Sequence, residues 1–243
     1  MLCEKPLAPI LAQGMSMAAA SELTGQLPMV SQSRRYIRTL AAFKRQLANI
    51  GEIGILSTQF FKYPSLSGFR LELDHVLLVE MAIHGFDCAR YLLGREPVAV
   101  RCVEFEPRWS EFAPNAAPAA SATFEFAGGA QFAYTGSLVS AGLKTDWNGD
   151  WRASGSPGTA LWDGNSAPVA STGPAAVIDE EAPEYIAGWL ADFIAAMHTG
   201  IVPSGEVHSN LMTLAMVAAA GRSADTSERV TIASVLSDGY QDA

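Results

Sequence analysis

Along the first third of the chain, short apolar runs alternate with longer stretches in which apolar residues return every three or four positions; after that, two-residue alternation takes over. Met1 to Cys3 read as the end of a buried strand, and Pro6 follows where the first turn of a helix tolerates proline. Leu7, Ile10, Leu11, Met15 and Ala18 then carry helical spacing toward Leu23. "LPMVSQ" (Leu27 to Gln32) predicts a second short strand leading to "SRRY". From Ile37 the residues Leu40, Phe43, Leu47 and Ile50 describe another helix, which Gly51 stops.

"GILSTQFFKY" (Gly54 to Tyr63) predicts a strand and "PSLSG" a loop, followed by a strong helix from about Leu77 to Leu93 that ends before Gly94 and Pro97. Beyond it, "VAVRCVEFE", "ASATFEFA", "AQFAYTGSLVS" and "DWRASGS" read as successive strands, with a Gly128-Gly129 hairpin between two of them. Gly164 to Pro174 read as a loop, and two helices close the chain at about Pro183 to His198 and His208 to Ala224. No internal repeat is visible. The fold class this predicts is the α/β tail of a first domain, residues 1–36, followed by an α+β domain with an open, mainly antiparallel sheet, residues 37–243.

Composition narrows the partners. The 243 residues are 49% apolar, ample for a packed core, while charged residues make up 17% and the formal net charge is −9. No basic surface is available to neutralise a phosphate backbone, which argues against nucleic acid. Glu4, two prolines and the Gln13-Gly14 interruption break the opening apolar stretch too often for a secretory signal, and no apolar run approaches the ~18 residues of a membrane span. Cys3, Cys88 and Cys102 lack C-x-x-C spacing, which fits free thiols in a reducing cytoplasm.

Two places could carry chemistry. Lys5 follows one strand and precedes a helix, so it projects from the carboxyl end of that strand, where open α/β sheets place ligands. Burial or a neighbouring cation would make it a general acid or base. Alone, it also reads as a solvated lysine near a mobile terminus. In "LELDHVLLVEMAIHGFDCARYLLG", Glu80, His84, Asp87 and Tyr91 stack along one helical ridge, so that carboxylates flank the histidine. A partly buried histidine satisfied by those neighbours is the plainer alternative. Asp74, His75, Glu80, His84 and Asp87 also present possible metal ligands, but neither H-E-x-x-H nor E-x-x-H spacing occurs, and no metal is expected.

"CEKPLA", "SQSRRY", "FKRQLANIGEIG" and "MAIHGFDCARYLLGREPVAV", in that order and at those separations, resemble the glucose-fructose oxidoreductase and inositol dehydrogenase family (Gfo/Idh/MocA); "WRASGSPGTALWDG" and "NLMTLAMVAAAGRSADTSERVTI" extend the resemblance almost to the end. The resemblance implies a Rossmann domain for NAD or NADP, then a domain whose open antiparallel sheet covers the nicotinamide and often mediates homo-oligomerisation. It also implies oxidation or reduction of a sugar, cyclitol or related polyol. Glu4, Lys5 and Pro6 would lie by the nicotinamide, with Lys5 the usual catalytic residue and Arg35 beside the cofactor. His84 would contact the reacting hydroxyl, and Glu80 stands where an aspartate is usual, which lengthens its reach by one methylene. Asp87, Asp74, His75, Tyr36, Trp147 and Asn148 complete the expected substrate wall, from strand ends and loops that could face it.

A larger departure from that family concerns the nucleotide site. A dinucleotide fold needs a G-x-G-x-x-G turn after its first strand to hold the pyrophosphate, and no such fingerprint occurs in these residues. A start assigned too far downstream, a truncated gene, or a shortened protein with another use would each explain this. An incomplete chain is favoured, because the helix from Leu7 to Leu23 keeps apolar residues with no sheet to cover. Little nucleotide binding and little activity are therefore expected of the chain as it stands. The rival reading is a non-catalytic module that binds a sugar or self-associates through the antiparallel sheet.

Overall fold

Pro6 and Pro9 delay the first helix. Lys5 and Ala8, each before a proline, are steered away from helical backbone; Ile10, extended at φ −131° and ψ 154°, then caps a helix that begins at Leu11, four residues later than spacing alone predicts. The computed structural model describes residues 1–113 and 116–242. Strand β1 (Leu2–Cys3) runs parallel to β2 (Met29–Val30), with helix α1 (Leu11–Thr24) between them in sequence. After a 3-10 turn at Ser33–Tyr36 come helix α2 (Arg38–Leu47) and strand β3 (Ile53–Phe61). A π-helical turn at Leu78–Ala82 then runs directly into helix α3 (Ile83–Leu93).

The remaining strands are β4 (Pro97–Phe105), β5 (Ala119–Phe126), β6 (Gln131–Ser137), β7 (Asp150–Gly155), β8 (Thr159–Trp162), β9 (Val169–Ala170) and β10 (Val230–Thr231). Helices α4 (Tyr185–Thr199), α5 (Val207–Thr226) and α6 (Ile232–Gln241) complete the chain. Eight strands form one open sheet in the order β10-β4-β5-β6-β3-β7-β8-β9. The sheet is mixed: β3 pairs in parallel with β6, Ile55 opposite Gln131 through Phe61 opposite Ser137, while every other pairing is antiparallel. The parallel pair arises because β3 leaves the sheet through α3 and the chain returns by β4, β5 and β6 before it reaches β3 again. β9 lies inside the stretch the sequence reads as loop.

One face of the sheet is covered and the other is not. Leu40, Phe43 and Leu47 of α2, Phe86 of α3, and Leu214 and Met216 of α5 share a core with Leu56, Phe124, Phe132, Trp151 and Trp162 of the sheet. Phe86 meets Phe124 edge-on with ring centroids 4.7 Å apart. Gln59, Arg101, Val103, Ser121, Thr123, Arg152 and Leu161 are exposed on the opposite face. Alternation along each strand produces this division, as in β5, where Ser121 and Thr123 face out between buried Ala120, Ala122 and Phe124. Helix α1 packs against α5 and α6. No helix among the described residues is long and apolar enough to cross a membrane.

Candidate functional site

The ladder between β1 and β2 holds the backbone just ahead of Lys5. Met29 donates its N–H to the Met1 carbonyl at 2.9 Å, and Ser31 donates to the Cys3 carbonyl at 2.8 Å. Glu4 is exposed, Pro6 is half-buried behind a cis Lys5–Pro6 bond, and Lys5 turns inward between them. Its Nζ donates to the backbone carbonyl of Glu80 at 2.9 Å and lies 3.5 Å from Glu80 Oε2. That carbonyl sits in the π-helical turn, a local irregularity that recurs at functional sites. Arg70 Nε reaches the same Oε2 at 3.5 Å. Burial pulls the Lys5 pKa below the ordinary lysine value; Glu80 opposes this, and Arg34 and Arg70 add to it.

The predicted ridge divides in two. Glu80 and His84 face the Lys5 side, whereas Asp87 and Tyr91 turn to Arg35. Asp87, 1% exposed, takes a two-pronged ion pair from Arg35 at 2.7 and 2.6 Å and a third bond from the Thr213 hydroxyl at 3.0 Å. Arg35 also donates to the Ser204 hydroxyl at 3.0 Å, and its guanidinium lies 6.0 Å from the Tyr91 ring centre. Burial works against its charge, but Asp87 outweighs burial and raises its proton affinity. Both residues are therefore spoken for within the protein.

His84 is in a different condition. Its ring is half-buried, its Nδ1 edge fully so, and no described residue hydrogen-bonds it. Burial, then the charges of Arg34 and Lys5, hold its pKa well below the usual histidine value, so the imidazole is neutral at pH 7. Arg34 was not singled out in the sequence. It is half-buried, influences both Lys5 and His84, and makes no ion pair or side-chain hydrogen bond with any described residue. The signal available was the doublet itself: two adjacent arginines on a short turn cannot both reach the single acid at Asp87. Tyr134, also missed, stands behind His84, with its ring 3.3 Å from where a Cβ on Gly85 would lie. Its hydroxyl is buried without a partner.

The other expected wall residues are scattered. Tyr36 donates its hydroxyl to Asp192 at 2.6 Å, which fastens the 3-10 turn to α4, and the same oxygen lies 3.0 Å from the Ser204 carbonyl. His75, at a positive φ of 54°, swings its ring to Glu104 of β4, with Asp225 of α5 at 3.7 Å, while Asp74 is exposed beside it. Trp147 is half exposed, with Lys62 4.9 Å from its ring centre. Asn148 donates to the Gly164 carbonyl at 2.8 Å and approaches the Tyr185 hydroxyl at 3.5 Å. Asp146 beside this loop and Tyr185 at the start of α4 both favour the charged form of Arg34. Among the described residues, no group of three or more His, Cys, Asp or Glu is placed to hold a metal ion.

The residues fit one end of a nicotinamide dinucleotide. A desolvated lysine and an unpartnered neutral imidazole at the carboxyl end of a parallel strand pair suit a reacting hydroxyl beside the ring, but no glycine turn exists in these residues to receive a pyrophosphate.

Residues 45–161 match the family described as GFO/IDH/MocA C-terminal domain. An uncharacterized protein, y4oX, from Sinorhizobium fredii is 28% identical over 169 residues, 67% of this chain and 46% of that protein, so the chain spans about half the length of the curated relative it matches. An oxidoreductase from Agrobacterium radiobacter, solved with NAD+, L-tartaric acid and magnesium, superposes with a TM-score of 0.81 at 20% identity, over 97% of this chain and 73% of that one. The aldose-aldose oxidoreductase of Caulobacter crescentus, solved with glycerol, gives 0.78 at 24% identity, over 95% and 71%.

Proposed function

We propose that this chain, which belongs to the Gfo/Idh/MocA family, serves hydride transfer between a nicotinamide cofactor and a carbinol carbon of a sugar, cyclitol or related polyol. The observation that carries the reading is the convergence of Lys5 and His84 on one helical turn: the Lys5 amine rests on the Glu80 carbonyl, one turn ahead of an imidazole that nothing in the protein engages. Residues 1–36 are assigned to the nucleotide-binding domain and residues 37–243 to the domain with the large sheet. When bound, the nicotinamide supplies or accepts the hydride.

The chain's own residues handle the proton. As the hydroxyl carbon is oxidised its proton must leave, and an amine within hydrogen-bond reach takes it; in the reverse direction the ammonium returns it. The lowered pKa brings more of Lys5 into its basic form near neutrality than an exposed lysine would reach. His84, neutral, orients the hydroxyl by a hydrogen bond without competing for the proton. Glu80 holds Lys5 in place and offsets part of the positive charge. Glu4 and Pro6 border the nicotinamide end, whereas Asp87 and Arg35 act through the helix they lock in place.

Two measurements test this. Polyol and sugar probes should shift the His84 ring resonances in NMR spectra of the chain, with Lys5→Met weakening the effect; probes that leave His84 unmoved sink the reading. Nicotinamide fluorescence should show no saturation in the micromolar range, since these residues include no glycine turn. A second reading, self-association of two copies, draws on the exposed Val103, Phe105 and Leu161 of the sheet's open face, and sedimentation that yields only monomer excludes it.

A further inference from the structure

We propose that the site at Lys5 and His84 takes a carboxylate-bearing substrate, a sugar acid or hydroxy acid, and that Arg34 is the anchor for its carboxylate. The proposal rests on the oxidoreductase reading of the same site and narrows its substrate class.

The contrast between two adjacent residues on the Ser33–Tyr36 turn is its basis. Arg35 is satisfied on every side, by Asp87 and by Ser204. Arg34, on the same turn against α3, has no acid and no acceptor among the described residues. A guanidinium withdrawn from water without a counter-charge is costly, unless something outside the chain completes it. Burial, the largest influence, lowers the proton affinity of Arg34, and the groups that raise it are Cys88, Tyr134, Tyr185 and Asp146, none of which bonds it.

The charge balance of the site points the same way. Lys5, Arg34 and Arg70 are cations, and Glu80, the one acid among the described residues that pairs with any of them, is shared between Lys5 and Arg70 at 3.5 Å each. Asp146 is engaged locally, since its Oδ1 accepts from the Asn148 backbone at 2.8 Å. A protein with a formal net charge of −9 thus concentrates uncompensated positive charge beside its proton-handling pair. A neutral polyol would leave that excess unanswered. A carboxylate answers it, and the planar five-donor fork of arginine matches two carboxylate oxygens at once. Tyr134, buried with its ring against Gly85 beside His84, has a hydroxyl that is likewise without a partner.

The test compares acids with their reduced counterparts on the whole chain. D-gluconate, D-galactonate and D-mannonate are titrated calorimetrically beside D-glucitol, galactitol and D-mannitol, with sulfate and ADP as separate arms. At least one aldonate should bind and shift the His84 resonances while its alditol does not. Arg34→Gln should weaken that binding roughly tenfold or more, with Arg34→Lys recovering part of it. Should Arg34→Gln fail to fold, the acid-against-alditol comparison in the unaltered protein still decides.

Equal binding of acid and alditol overturns the carboxylate assignment and leaves the oxidoreductase reading standing. Binding of neither overturns both. Acid binding that is indifferent to Arg34→Gln removes Arg34 as the anchor. Arg34-dependent binding of sulfate or ADP as tight as that of the best aldonate shows an inorganic-anion or nucleotide-phosphate site, and overturns the proposal.

Discussion

Lys5 donates to the main-chain carbonyl of Glu80 at 2.9 Å, closer than the 3.5 Å separating it from the Glu80 carboxylate. The tether is therefore mainly to backbone, and a change of side chain at position 80 should alter the charge on Lys5 more than its place. Glu80→Gln is expected to lower the Lys5 pKa further, because the opposing acid is lost while burial, Arg34 and Arg70 remain. A ¹⁵N NMR titration of the lysine amine checks this. A rise in the Lys5 pKa, or loss of its distinct resonance environment, would show that the carboxylate supplied the anchor.

Arg35 and Asp87 form the most protected ion pair of the site, 9% and 1% exposed as residues, and tie the 3-10 turn to α3. Removing one partner leaves the other charged and desolvated, which typically costs about 3–5 kcal/mol. Asp87→Asn should reduce unfolding free energy by about that amount in a denaturant titration. Because Asp87 also accepts from Thr213 on α5, Thr213→Val should reproduce a smaller part of the loss. An Asp87→Asn protein as stable as the parent would mean that Arg35 had been serving a ligand instead.

Tyr134 hides a hydroxyl without a partner, and Gly136 makes room for it: a Cβ at position 136 would lie 2.4 Å from that oxygen and 2.8 Å from the carbon bearing it. A buried donor left unmatched costs about 1–3 kcal/mol, so Tyr134→Phe should be neutral or stabilising. Gly136→Ala should destabilise clearly, and Tyr134→Phe should only partly relieve it, because the ring carbon stays too close. Thermal unfolding of the two single variants and the double variant gives the comparison. A Tyr134→Phe protein that melts much earlier would reveal a partner for the hydroxyl.

Much of this architecture is visible in local pattern. The short opening strands, the helix that carries Glu80 and His84, and the alternating strands after Pro97 follow from apolar spacing and from glycine and proline punctuation. The parallel pairing of β3 with β6 is not, since nothing within either strand names its neighbour. The ridge was legible to the turn but not in its division, because the π-helical turn at Leu78–Ala82 and the position of Arg35 decide which residues look toward Lys5. His75 left the expected wall through a positive φ at a single residue, with its partners on β4 and α5 far along the chain. Arg34 became conspicuous only once its neighbour was seen to be satisfied.

Arg34 and Lys5 yield a prediction about pH. His84 is held well below the ordinary histidine pKa of about 6.5 by burial, then by Arg34, then by Lys5. Because its folded-state pKa is depressed, the unfolded chain binds the proton more readily, so the contribution to stability is full above about pH 6.5 and is lost as pH falls below it. Arg34→Gln removes the larger of the two charge effects and should raise the His84 transition more than Lys5→Met does. Burial remains in both variants, so neither should restore the ordinary value. Histidine ring-proton titrations of the parent and both variants measure these shifts directly, without any need for turnover. If Arg34→Gln leaves the transition where it was, Arg34 does not act on the imidazole, and the cationic cluster that motivates an acidic substrate loses its centre.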